Sequence, residues 1–332
     1  MPILVDTLSF RARLDNKEKI LQILGISDSI YDWEDGVGFN GYAQAIYYAG
    51  IKIGFNGCNG FSCYVHMSGK GCRTWEDHTT LEGGWFQLLD FLYLEPDNYH
   101  FARIDLAYDD YTDTLNIERI DKYRRLRRYS TKTTFFTTVM GSEEIAYIGS
   151  PQSHTRLRIY NKKLERGYTE PEDLDGKPWY RCEFQFRDEC ATSCVDALVT
   201  YQDAAQVFFG KLLDFIRFTT KPNTDSRHAN RLNVSSWWLE FCQNYPRLKF
   251  FYEPGSEYNL SKLEKYCKLG AGSSVKTLIH AKGLSPYELY SYFTSDKIDL
   301  RQDQVELIRQ KEFERGVNLF DSALYKVKKD EK

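Results

Sequence analysis

Three short stretches of the chain place charged and nucleophilic side chains at intervals of two residues. In Arg103-Ile104-Asp105-Leu106-Ala107-Tyr108-Asp109 an extended backbone puts Arg103, Asp105, Ala107 and Asp109 on one face, opposite Ile104, Leu106 and Tyr108. In Arg181-Cys182-Glu183-Phe184-Gln185-Phe186-Arg187 the same rule gathers Arg181, Glu183, Gln185 and Arg187 against Cys182, Phe184 and Phe186. From His154 to Lys162 it aligns His154, Arg156, Arg158, Tyr160 and Lys162, a cationic face with one phenol. If the three strands share a sheet, carboxylates, guanidiniums and a tyrosine converge on one surface.

That set suits phosphoryl transfer. Carboxylates from neighbouring strands hold Mg²⁺ or Mn²⁺, hard ions that keep coordination positions for phosphate oxygens. Metal and arginines stabilise charge at phosphorus while the tyrosine attacks. A tyrosine titrates near ~10, so its phenolate needs positive charge from Arg158, Lys162 or the metal. The same alternation also marks the solvent face of an antiparallel sheet, where Arg and Asp form plain cross-strand ion pairs. Three such strands within half a chain are what favour chemistry.

The elements that must carry these strands are duplicated. Val5-Asp6 is echoed by Ile104-Asp105, and Ile46-x-Tyr48-x-Gly50 by Ile145-x-Tyr147-x-Gly149, at one common offset. Helical patterns fill matching places, Asn16 to Leu24 and Leu115 to Arg128. Strands are expected over Ala43 to Phe55, Gly60 to His66, Thr133 to Val139, Glu144 to Ile148 and Thr155 to Tyr160, and helices over Trp85 to Tyr93 and Tyr201 to Phe218. The expected fold is α+β, a pseudo-symmetric and largely antiparallel sheet domain over 1–220, with repeats at about 1–98 and 99–220. A polar, basic linker follows at 221–233. Helical patterns then fill 234–332: Ser236 to Tyr245, Leu260 to Cys267, Ser274 to Ala281, Pro286 to Phe293 and Gln304 to Phe313, a small domain for DNA or partner binding. Ser285-Pro286-Tyr287-Glu288 reads as a capping box with proline at the first helical position.

Formal net charge is −3, so any nucleic-acid contact must use local patches. One such patch is the helix with Lys122, Arg124, Arg125, Arg127 and Arg128 interleaved with Tyr123 and Tyr129, suited to phosphates or, equally, to solvent. Arg227, Arg231, Lys262, Lys265, Lys268 and Lys276 would extend that path. No apolar run reaches ~18 residues and no signal peptide is evident, so a cytoplasmic protein without membrane contact is expected. The cluster Cys58, Cys63, His66, Cys72 and His78 fits no standard zinc spacing and reads as reduced, buried thiols in strands.

With Val5 to Phe10 and Leu157-Arg158-Ile159-Tyr160-Asn161-Lys162-Lys163-Leu164-Glu165, these strands resemble the Rep_trans family over about residues 1–220. That family comprises plasmid rolling-circle initiators, relaxases of integrative elements and initiators of cholera-toxin-type phages. The resemblance implies a nucleophile at Tyr160 and metal ligands at Glu183 and Asp105 with Asp109 as a third; Arg103, Arg156 and Arg181, on the same faces, are the expected DNA contacts. It implies metal-dependent nicking and joining of double-stranded origin DNA extruded as a hairpin or single strand, through a 5′-phosphotyrosine. A homodimer and a host helicase are further implied partners. Two other readings stand beside it: a non-catalytic origin-binding regulator, and a hydrolytic metal nuclease using Asp105 and Glu183.

Overall fold

The computed structural model describes residues 3–14, 16–26, 33–57, 60–168, 176–224, 231–250, 267, 272–293 and 308. The helices expected at Leu260 to Cys267 and Gln304 to Phe313, and residues Cys58, Arg227, Lys262, Lys265 and Lys268, lie wholly or mostly outside these.

Two long strands form the centre: β1 (Leu4–Ala12) and β6 (Tyr99–Asp110), paired antiparallel. On the β1 side follow β5 (Cys63–Ser68), β4 (Ile51–Gly57), β3 (Tyr42–Tyr48) and β2 (Glu34–Val37). On the β6 side follow β11 (Tyr180–Arg187), β10 (Thr155–Asn161), β9 (Ile145–Ile148) and β8 (Phe136–Val139). The order β2-β3-β4-β5-β1-β6-β11-β10-β9-β8 has five strands on each side of the β1/β6 seam, every pairing antiparallel. This is the duplication read from the sequence.

The echoed motif falls on equivalent strands, β3 and β9, each leading into a turn glycine at φ 94°. Its phase differs, however. Ile46 and Tyr48 pair with Ile53 and Ile51 of the core, whereas Ile145 and Tyr147 pair with Tyr160 and Arg158 on the polar face. A one-residue shift exchanges the faces. The expected single run Ala43 to Phe55 is a hairpin: Ala49 (φ 42°) and Gly50 make a two-residue turn between β3 and β4.

One sheet face is apolar. Leu8 and Phe10 of β1, Ile104 and Leu106 of β6, Leu157 and Ile159 of β10, and Phe184 and Phe186 of β11 share a core with α1 (Lys17–Leu24), α2 (Lys70–His78), α3 (Gly84–Tyr93), α4 (Ile117–Arg125), α6 (Glu189–Tyr201) and α7 (Ala204–Phe215). Asn16, Asn116, Asn161 and Asp203 cap α1, α4, the one-turn α5 (Lys162–Glu165) and α7 through side-chain oxygens. The helix expected over Tyr201 to Phe218 is therefore displaced: Asp203 starts α7, and Ile216–Phe218 is a strand, β12, paired with β7 (Tyr129–Thr131).

The first compact unit runs to Tyr252, beyond the expected linker at 221–233. Thr219 bridges to Val234, and α8 (Ser236–Phe241) sinks Trp238, 0 % exposed, beside Phe218 at 4.8 Å. The apolar face of β6 and α7 needs that cover, which is why Trp238, Phe241, Tyr245 and Phe250 pack here. In the second unit, Glu253–Lys332, the described helices are α9 (Gly272–Lys282) and α10 (Pro286–Phe293). The expected capping box is present, Ser285 and Glu288 bonding each other's backbone N–H. Among the described residues no helix is long and apolar enough to cross a membrane.

Candidate active site

The other sheet face collects the polar residues. Antiparallel pairing sets Arg181 opposite both Tyr160 and Asp109, Glu183 opposite Arg158, and Gln185 opposite Asp105. All three strands thus bring their polar residues to one surface, as alternation required.

Tyr160 sits within it, 6 % exposed, its hydroxyl donating to Glu183 Oε2 at 3.0 Å. The other Glu183 oxygen accepts from Arg158. Lys162 Nζ lies 3.5 Å from the phenol oxygen and 2.8 Å from Glu165, which immobilises it. Tyr160 and Arg158 also line a cavity of about 380 Å³ with Ser142, Glu144, Tyr147 and Asn161. Burial pushes the Tyr160 pKa up and Glu183 pushes it further, outweighing Arg181 and Arg158. Neighbouring cations alone therefore do not favour the phenolate, contrary to the sequence expectation; the phenol keeps its proton, with Glu183 in place to accept it.

Asp105, 0 % exposed, accepts from Arg103 Nε at 2.9 Å and from its Nη2. Burial raises its pKa to about 6; Arg103 pulls against this, and the nearby Glu183 adds to it. Asp109 gives both oxygens to Arg181, at 2.7 and 2.8 Å. Arg181 also reaches Asp6 at 2.8 Å. Asp6 is the extra residue of a bulge in β1, between Val5 and Thr7, which turns its side chain towards the seam. In the sequence Asp6 marks only the repeat, and its equivalence to Asp105 is the signal that points to the site.

Of the expected DNA-contacting residues, Arg103 and Arg181 are engaged by carboxylates within the face. Arg156 lies over the Tyr147 ring at 4.3 Å and has no carboxylate partner among the described residues. The basic helix is elsewhere. α4 gives Ile117 and Ile120 to the core that holds Leu157 and Ile159, so it covers the face opposite Tyr160. There Arg124 and Arg125 pair with Asp121 at 2.9 and 2.6 Å, while Lys122 and Arg127 are exposed and Arg128 is half-buried.

Cys63 and Cys72 are buried, and His66 Nδ1 bonds Ser9 at 2.8 Å. Among the described residues one group gathers three metal-capable donors, His154, Asp188 and Glu189. It lies at the far ends of β10 and β11, six residues from Tyr160, about 20 Å along a strand.

Residues 99–291 match the replication initiation factor family, Rep_trans, and residues 3–94 match the rolling circle replication initiation protein N-terminal domain. No curated protein matches the chain. The rolling circle replication initiator protein from Geobacillus stearothermophilus has a similar fold, with a TM-score of 0.62 at 23% identity, covering 75% of this chain and 98% of that one. A sheet duplicated about β1 and β6, matched in both halves by these models, places the chain in the Rep_trans family of replication initiation factors.

Proposed function

We propose that this initiator nicks and rejoins one strand of origin DNA, with Tyr160 as the attacking group. The observation that carries the reading is the Tyr160 hydroxyl held 3.0 Å from Glu183 on a polar face, beside a cavity. Glu183 takes the phenol proton as the oxygen attacks phosphorus. The bond from phosphorus to the 3′ oxygen breaks and the departing oxygen takes a proton from solvent, leaving a free 3′-OH and a 5′-phosphotyrosine. The phosphodiester energy is conserved in that ester, so joining reverses the step without a nucleotide cofactor.

Asp105 and Glu183 suit a hard divalent ion. Both are buried oxygen donors on neighbouring strands, and their mutual repulsion persists beside Arg103 and Arg158. Mg²⁺ or Mn²⁺ held there supplies charge stabilisation at the phosphate oxygens. Asp109 gives both oxygens to Arg181 as Asp105 gives both of its own to Arg103, so either acid would share an ion with its arginine; Asp105 differs in lying beside Glu183, and Asp109 also orients Arg181. Arg158, Lys162 and Arg181 border the phenol and balance charge on the phosphate.

The test incubates supercoiled origin plasmid with the protein and Mn²⁺. A protein–DNA adduct is expected, and Tyr160→Phe should abolish it. Nicking without an adduct favours water as nucleophile; salt-sensitive binding without nicking under any metal favours a non-catalytic regulator.

A further inference from the structure

Beyond the Arg181–Asp109 pair, the polar face ends in aromatic rings. Continuing the alternation by one step places Tyr111 after Asp109 and Trp179 before Arg181 on that same face. Lys162 N–H donates to the Trp179 carbonyl at 2.7 Å, which fixes that end of β11 against β10.

The rings are ordered with respect to one another. Tyr111 and Trp179 have centroids 5.9 Å apart with planes 22° from parallel, and Tyr168 lies 6.5 Å from Trp179 at 28°. Tyr111 is 38% and Tyr168 41% exposed, so both present ring surface to solvent. Arg181 lies opposite Tyr160, and Trp179 is two residues further along, about 7 Å. That is about the reach of one nucleotide of an extended strand.

We propose that Tyr111, Trp179 and Tyr168 form a stacking platform for the bases of the single strand entering the Tyr160 cleft. The proposal rests on the strand-cutting reading and names the part of the substrate this end of the cleft recognises. Near-parallel exposed rings offer π-faces that any base continues, giving sequence-tolerant stacking. The strand's phosphates meet Arg181 and Lys162 at the platform's border. Recognition of the bases is thus separated from charge on the phosphate: rings hold the flanking nucleotides while the charged residues hold the bond to be cut.

The experiment measures fluorescence anisotropy of the full-length chain with labelled (dT)12 and with an abasic 12-mer of equal phosphate count, without divalent ions. Wild type should prefer (dT)12. Tyr111→Ala and Tyr168→Ala should each weaken (dT)12 binding roughly tenfold, with abasic binding and the salt slope unchanged. Tyr111→Phe should bind like wild type, since the ring and not the hydroxyl is used. Equal (dT)12 affinity in the double alanine variant and wild type overturns the proposal, as does an equal loss on both strands. Binding is read without cutting, so failure of Tyr160 as nucleophile appears as a missing adduct with the (dT)12 preference intact.

Discussion

Truncation after residue 220, where the sequence places the end of the catalytic domain, should destroy the fold that holds the site. Trp238 is 0 % exposed and Phe241 nearly so; between them they contact Phe218, Phe209 and Tyr108 at centroid distances of 4.8 to 5.8 Å. Removing one such buried aromatic costs about 3–5 kcal/mol. Losing both costs about 6–10 kcal/mol, comparable to the roughly 5–15 kcal/mol total stability of a domain. Tyr108 alternates with Asp105 and Asp109 on β6, so loss of its cover also loosens the acids. Urea unfolding and limited proteolysis should find 1–252 cooperative and resistant, 1–220 without a cooperative transition, and full-length Trp238→Ala weakened by about 3–5 kcal/mol. Matching midpoints for 1–220 and 1–252 would refute the reasoning.

Glu183→Gln keeps the shape but removes the proton acceptor, so single-turnover nicking should fall about 10²- to 10⁴-fold; a change of only a few-fold removes Glu183 from that role. Asp214 is buried against Lys132 at 2.6 Å and Arg247 at 2.8 Å, and although burial pushes its pKa up, these cations leave it below the usual value. A depressed carboxylate contributes stability above its unfolded pKa and loses it as pH falls through the folded one. Urea titrations should thus show Asp214→Asn about 3 kcal/mol less stable at neutral pH, near the low end for a broken buried pair because Lys132 is half exposed; the gap should close in strong acid, and a pH-independent gap contradicts the assignment. Arg156→Ala should reduce the salt slope of single-strand binding by about 0.7, whereas Lys122→Ala, on the opposite face, should leave it unchanged; the reverse result places the strand on α4.

The polar face was legible because strand alternation is local: Arg103 to Asp109 and Arg181 to Arg187 declare their two faces without any partner. Register was not, since only the folded sheet sets Arg181 between Tyr160 and Asp109. Nor does charge reveal the side on which a helix docks. Lys122 to Arg128 read as a DNA path, yet Ile117 and Ile120 seat that helix against the apolar face. The helix Glu189–Tyr201 went unread because its β-branched, Ser and Cys residues have weak helix propensity. Asp188 at φ 48° turns the chain into it without a side-chain cap.

The meeting of β1 and β6 also shapes how the protein is made. Until β6 is synthesised, the N-terminal half ends in a long strand with one side of its backbone hydrogen-bonding groups open, an edge able to accept any matching strand. Pairing with β6 closes that edge, so the second half of the duplication shields the first from pairing with a foreign strand.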